Sequence, residues 1–288
     1  MKIHIILLFN GIGNQLSQYA LYKQIRSENK FTFLINNCSI IPGYTKGLDI
    51  LEIEPTVEKD LMNKLLSKVI IFYLKVLGQN KFLLLKKMSY FLSNILSIKI
   101  INETNYPSKK KFINIYADGW LNKVIKNPCN IYNDSFISYL NEHGLMDSKY
   151  LDENICAIHF RGGDYIDGGI NSEIYGNISD FNYYDRAISK MKNRKRVKKF
   201  VIFTNDKKAA EPIFRKLNLD FIFSDELGSK SFLEDLCFMS IFKRIIISNS
   251  SFSFWSAATF AKDKYVICPN RYRNKDDIDI YLSQWDKI

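Results

Sequence analysis

Between residues 155 and 269 the sequence alternates short apolar runs with helical stretches, and that alternation narrows the fold more than any other feature. The runs are ICAIHF (155–160), KFVIFTND (199–206), LDFIFSD (219–225), RIIISNS (244–250) and KYVICP (264–269). Helical stretches around 182–193, 207–217, 231–242 and 254–262 separate them. This order predicts buried parallel strands with helices on both faces of the sheet. Upstream, residues 3–9 read as a strand, GIGNQ (11–15) as a tight loop, LSQYALYKQIRSEN (16–29) as a helix and FTFLIN (31–36) as a second strand. That is a βαβ opening. From Glu58 to about Ile101 the pattern is helical and leucine-dense, INIYADGW (113–120) reads as a strand ending in a turn, and residues 129–145 read as a helix closing the first half. The expected architecture is α/β, with two halves joined near residue 150: 1–150, carrying a helical insert, and 151–288.

With 288 residues, 47% of them hydrophobic, the chain has enough apolar material for one large core or two ordinary ones. A formal charge of +11 favours an anionic partner: nucleic acid, an acidic membrane surface or a phosphate-bearing ligand. The five cysteines are scattered and form no CxxC pair, which argues against a zinc site or a disulfide framework and for a reducing compartment. MKIHIILLFN has no small-x-small cleavage site after it and reads as a buried strand, not a signal peptide. No run approaches the roughly 18 apolar residues of a membrane span. The expected setting is cytoplasmic, soluble or peripheral to the inner face of the membrane.

Three segments carry candidate chemistry. In GIGNQ, Gly11 and Gly13 make a short strand-to-helix turn, but Leu16 stands where a dinucleotide fingerprint has its third glycine. What remains is a turn presenting backbone N–H groups and the Asn14 side chain. HFRGGDY (159–165) follows a strand, where open α/β sheets bind ligands. Arg161 offers a planar fork to phosphate, and Gly162 and Gly163 permit close backbone approach. His159 reads first as a satisfied core histidine and second as a ligand contact. Asp164 reads as orienting Arg161 or capping the turn. SNSSFSFWSAATF (248–260) places Ser248, Ser250, Ser251 and Ser253 where a strand opens a helix, an anion site by its free N–H donors and dipole. An ordinary N-cap needs one serine, not four. Asn205 and Asp206 end a third strand, where a carboxylate is able to read a guanine's N–H groups.

Two basic stretches have plainer readings. KMKNRKRVKK (190–199) is a solvated helix end compensating the dipole, and it lacks the interleaved aromatics of nucleic-acid binding. Residues 60–111 are apolar and lysine-rich, either a helical core insert or a surface resting on anionic lipid.

Together, GIGNQLSQYA (11–20), ADGWL (117–121), HFRGGDY, FTND (203–206) and SNSSFSFWSAA (248–258) resemble the bacterial α-1,2-fucosyltransferases of glycosyltransferase family 11. The resemblance implies a GT-B-like fold of two Rossmann-like domains facing a cleft, GDP-β-L-fucose as donor, inversion at the anomeric carbon and no metal or other cofactor. It implies a galactose-containing glycan or lipid-linked oligosaccharide of O-antigen or surface-polysaccharide synthesis as acceptor. It places the donor on residues 151–288 and the acceptor on 1–150. By position, Arg161 matches the arginine that grips the pyrophosphate and His159 its partner near the nucleoside. Ser250, Ser251 and Phe252 match the phosphate-side helix start, and Asn14 a residue facing the transferred fucose. The sequence departs from the family pattern at Gly162, where many members have a second arginine, at Ser17 in place of phenylalanine and at Phe254 in place of tryptophan. Gly162 keeps open a rival of another class, a membrane-peripheral nucleotide-sugar-binding protein without turnover. A fucosyltransferase of other linkage or acceptor is the nearer rival. Asp164, Asp167 and Glu173 are candidates for a general base. No DxD-type clamp stands where a metal would be needed; Asp276, Asp277 and Asp279 are expected past the last strand.

Overall fold

The structure is a computed structural model that describes residues 2–36, 47–53, 68–69, 97–103, 105–106, 109–119, 125–146, 154–176, 178–274 and 279–288. It divides into two compact units, Met1–Asn127 and Pro128–Ile288. Both are built on all-parallel sheets, as the strand–helix alternation predicts.

The first unit holds a four-stranded sheet in the order β2-β1-β4-β3. Its strands are β1 (Ile3–Leu8), β2 (Thr32–Asn36), β3 (Ile98–Ile101) and β4 (Ile113–Tyr116), with α1 (Ile12–Glu28) and α2 (Gly47–Ile50) among the described helices. Leu7, Ile35 and Ile115 form a buried cluster on one face. β3 corrects the helical reading that ran to Ile101: IKII is rich in β-branched residues and pairs in register with β4, so sheet pairing overrides the helical pattern before it. Most of that helical stretch, and of the lysine-rich 60–111 region, lies outside the described residues. No described helix is long and apolar enough to cross a membrane.

The second unit holds a six-stranded sheet, β10-β9-β8-β5-β6-β7. The strands are β5 (Ile155–Phe160), β6 (Lys199–Thr204), β7 (Phe221–Phe223), β8 (Arg244–Ile246), β9 (Tyr265–Cys268) and β10 (Asp286–Lys287). Around them run α3 (Asn133–Glu142), α4 (Ile170–Tyr175), α5 (Phe181–Lys195), α6 (Lys207–Lys216), α7 (Phe232–Ser240) and α8 (Ser251–Ala258). The strand period of two sorts the core. Cys156, Ile158, Phe160, Phe200 and Ile202 face Tyr183, Tyr184 and Met191 of α5 and Phe214 of α6. On the other face Phe203 meets Phe238 and Phe242, with ring centroids 5.6 and 5.8 Å apart. Both faces are therefore covered, which is why the strands read as continuous apolar runs.

Short polar residues set the helix starts: Asp180, Asp206 and Ser231 accept from Tyr183 N, Ala209 N and Glu234 N. α5 ends on Arg196 in the left-handed region (φ 54°), with Lys192, Arg194 and Lys195 in its last turn. The basic run thus sits where cations offset the helix dipole. Lys264 joins α7 to α8. Its ammonium donates to Ser240 O at 2.6 Å, Ser256 O at 3.1 Å and Thr259 O, so its three N–H groups meet three carbonyls.

Two boundaries differ from expectation. α3 belongs to the second unit, because Tyr132 packs edge-on against Trp255 at 5.1 Å and Asn133 Oδ1 accepts from Phe260 N at 3.0 Å. The units accordingly divide before α3, not near residue 150. Asp279 does not follow the last strand: β10 comes after it, and its carboxylate accepts from Lys287 at 2.7 Å.

Candidate active site

The strand order of the second sheet reverses at β5. From β5 the chain builds outward to β6 and β7, then returns to β8 on the other side and continues to β9 and β10. Open α/β sheets bind ligands beyond the strand carboxyl ends at such a switch point. The two strands that flank it, β5 and β8, run into HFRGGDY and SNSSFSF.

The glycine pair is seated on the end of β6. Gly162 N donates to Asn205 Oδ1 at 3.0 Å, and Gly163 N donates to Asp206 Oδ2 at 3.2 Å. A Cβ on Gly162 would lie 2.7 Å from Asp206 Cβ and 3.1 Å from the Phe160 ring. Its φ of −106° is open to any residue, so what is demanded is space. Gly163, at φ +58°, has the backbone reason as well. Asn205 and Asp206 were candidates for reading a guanine. Here Asp206 divides its carboxylate between Gly163 N and the α6 cap, and Asn205 spends its acceptor on Gly162, so both hold the loop in place.

The seated loop presents Arg161. Its guanidinium pairs with Asp164 Oδ1 at 2.5 Å and lies 5.1 Å from the centroid of the Tyr165 ring, with the side chain 31% exposed. Asp164 is held in turn by Asn171 at 2.9 Å. It therefore orients Arg161, one of the two roles expected of it. Asp167 accepts from Gly169 N at 2.8 Å and Glu173 is exposed on α4, and neither contact marks a base.

His159 is 5% exposed. Its Nδ1 lies 2.7 Å from Ser248 Oγ, its ring stacks on Phe252 at 5.1 Å, and its carbonyl accepts from Tyr184 OH. Burial, reinforced by the charge of Arg161, pushes its pKa down to about 3. His159 is a neutral imidazole across the physiological range, structurally satisfied and placed between β5 and the start of α8.

The serines of the β8–α8 turn serve mainly the turn itself. Ser250 caps α8 by accepting from Phe252 N at 3.3 Å, Ser253 donates to the carbonyls of Ser248 and Ser250, and Ser248 meets His159. Ser251 and Phe252 remain half-buried at the helix start. So His159, Arg161, Ser250, Ser251 and Phe252 converge on one edge, with a guanidinium and a helix N-terminus as its positive features.

Asn14 sits at the corresponding edge of the first sheet, where the order reverses between β1 and β4. The positive φ of this loop falls on Asn10 (67°), and Gly11 is the extended N-cap of α1. No side chain caps α1, which leaves its first N–H groups to backbone or ligand. Gln18 fixes the loop by accepting from Phe9 N at 2.9 Å and donating to Asp118 O at 3.0 Å. The Asn14 amide stands 3.7 Å from where a Cβ on Gly119 would be. Trp120 and Leu121 lie outside the described residues. No group of three or more His, Cys, Asp or Glu among the described residues is placed to hold a metal ion.

Sequence reasoning missed Asn249, Tyr175, Tyr272 and Arg273. Asn249, 1% exposed, donates to the carbonyls of Tyr175 at 2.8 Å and Tyr272 at 3.1 Å. It stands between Ser248 and Ser250, whose hydroxyls are the more obvious polar groups of the turn.

The sequence model of Glycosyl transferase family 11 matches residues 141–288, within the second unit and without the GIGNQ loop. The O-antigen biosynthesis glycosyltransferase WbnK of Escherichia coli is 31% identical over 121 residues, 41% of this chain and 39% of that protein, so the match spans about two fifths of its length. Among solved structures, the fucosyltransferase NodZ from Bradyrhizobium is similar at a TM-score of 0.43 and 12% identity, covering 89% of this chain and 92% of that one. A glycosyl transferase family 9 protein from Veillonella parvula is similar at a TM-score of 0.42 and 10% identity, covering 100% and 86%.

Two outcomes follow from this geometry. Gly162→Ala should destabilise the second unit by about 1–3 kcal/mol through overpacking against Asp206. In an Asp206→Gly background the same change should cost clearly less, with only the Phe160 ring left 3.1 Å from the new Cβ among the nearest contacts; equal losses in both backgrounds, read from urea midpoints, would place the cause elsewhere. His159 gives a pH dependence. Its folded pKa lies near 3 and its unfolded value near 6.5, so the unfolded chain binds the extra proton between them. The stability from a neutral His159 is complete above about pH 6.5 and is lost as pH falls toward 3. Midpoints between pH 7 and 4.5 should fall more steeply for the wild type than for His159→Asn, and matching slopes would assign the effect to another group.

Proposed function

The chain belongs to glycosyl transferase family 11, and from that premise we propose that it transfers L-fucose from GDP-β-L-fucose to the 2-hydroxyl of a galactose-like acceptor, inverting the anomeric carbon. The observation that carries the proposal is Arg161 at the switch point of the second sheet, beside the N-terminus of α8. Departure of GDP develops negative charge on the diphosphate while the sugar becomes oxocarbenium-like. A preorganised guanidinium and free helix N–H groups aimed at that charge are the main catalytic device available here. In this reading the second unit binds the donor. The first unit, with Asn14 at its own sheet edge, receives the acceptor. The partial match to an O-antigen glycosyltransferase supports a surface polysaccharide as the acceptor's source. Neutral His159 serves as a wall and not as a base, since its proton affinity is too low for that work.

The tight seat of Gly162 against Asp206 bears on the rival without turnover. A site that had merely lost an arginine would have no reason to fill the vacated space with a neighbouring Cβ. Incubation with GDP-fucose and a panel of β-galactosides, with products identified by NMR, tests linkage and acceptor together. No consumption of the donor, by transfer or by hydrolysis, would return the binding-protein reading.

Arg161→Lys should lower kcat on the order of a hundredfold at saturating donor, because a point charge replaces a planar fork at the developing diphosphate. A well-folded lysine variant with near-normal kcat would remove Arg161 from this role. Turnover should also persist in EDTA, with the guanidinium and helix dipole serving the leaving group without a metal; loss in EDTA and recovery with Mg²⁺ or Mn²⁺ would overturn that part of the proposal.

A further inference from the structure

Arg161 is the first member of a longer assembly. Its guanidinium lies over Tyr165, and Tyr165 stacks on Tyr175 with centroids 4.9 Å apart and planes only 10° from parallel. A second guanidinium, that of Arg273, lies over Tyr175 at 5.8 Å and over Tyr272 at 5.7 Å. Arg273 comes from the segment after β9, another strand carboxyl end of the same sheet. That segment is pinned to the last turn of α4, where Asn274 N donates to Ile174 O at 2.8 Å and Asn274 Nδ2 to Glu173 O at 2.9 Å. Asn249, at the foot of α8, holds the carbonyls of Tyr175 and Tyr272 and accepts from Tyr165 OH at 3.5 Å. The segments that follow β5 and β9 thus meet in one ladder of two cations and three phenols, tied together by Asn249 from the segment after β8.

We infer that Tyr175 and Arg273 are positioning residues that fix the plane of the Arg161 guanidinium for an anionic ligand, a role that rests on the donor-binding reading of this edge. A guanidinium on a flexible stem recognises two phosphate oxygens only if its plane is set beforehand. Asp164 sets one edge of the group and the Tyr165 face sets its plane. Tyr165 lies on a loop containing two glycines, so its ring needs a partner, and Tyr175 supplies one. The ring faces carry negative quadrupole, and Arg273 over Tyr175 and Tyr272 secures that partner from the far segment. The ladder acts through Arg161 and needs no ligand contact of its own.

The test is calorimetric titration of the full chain with inorganic pyrophosphate, which probes the anion site without the nucleoside. Arg273→Gln and Tyr175→Leu should each weaken pyrophosphate binding about tenfold while Arg161 is present. In an Arg161→Lys background the same changes should have little effect, because lysine has no plane to set. Tyr175→Phe keeps the ring and should retain wild-type affinity, and melting curves check that each variant folds. Equal weakening in both backgrounds would mean general damage to the loops and would overturn the inference. So would unchanged affinity in both, or no pyrophosphate binding by the wild type. Coupling to Arg161 without any fucosyl transfer would support the ladder and tell against the fucose assignment alone.

Discussion

The arrangement of the second unit depends on one close approach, that of the Gly162–Gly163 backbone to Asn205 and Asp206. β5 and β6 run parallel and in register to Phe160 and Thr204, so the chain leaves both strands side by side. Two loops emerging together from a parallel sheet normally diverge around their side chains. Here the missing Cβ at 162 lets the β5 loop lie directly on the β6 end, and the amides of 162 and 163 bond to the side chains below. Asp206 thereby does two things at once, capping α6 and accepting from Gly163. The orientation of Arg161, Asp164 and Tyr165 follows from that seat, because they are the residues immediately flanking it.

The strands of this unit were legible because burial on both faces makes them continuous apolar runs, and their ends were marked by Arg-Gly-Gly, Thr-Asn-Asp and Ser-Asn-Ser. Helix starts were legible for a similar local reason, the short polar caps. IKII at 98–101 was not, because four β-branched and basic residues after a long helical pattern look like its continuation until β4 is there to pair with them. The membership of α3 was hidden as well, since the contacts that decide it, Tyr132 to Trp255 and Asn133 to Phe260, span more than half the second unit.

At the site, the sequence identified which residues stand at the strand ends but not how they divide the work. Four serines and a carboxylate looked like ligand groups because hydroxyls and carboxylates bind ligands and cap turns with the same atoms. Only geometry shows that Ser250, Ser253 and Asp206 are spent on backbone N–H and C=O groups nearby. The converse error concerns Tyr175 and Arg273, which belong to no motif and gain meaning only through stacking between segments almost a hundred residues apart in sequence.

The two ends of α8 are prepared differently by the fold. At its N-terminus the helix presents Ser251 and Phe252 beside His159, with Ser250 as cap. At its C-terminus Lys264 gives its ammonium hydrogens to Ser256 and Thr259, and also to Ser240 at the end of α7. A cation at the carboxyl end stabilises the helix dipole, as an anion does at the amino end. Before any ligand arrives, therefore, the last carbonyls of α8 are already satisfied by the Lys264 amine, whose burial pulls its pKa down to about 7. The other end keeps its positive potential, uncompensated by any acidic residue in the first turn. Under the proposed function a donor diphosphate would meet this uncompensated end, on a helix that Lys264 and α7 already hold in place.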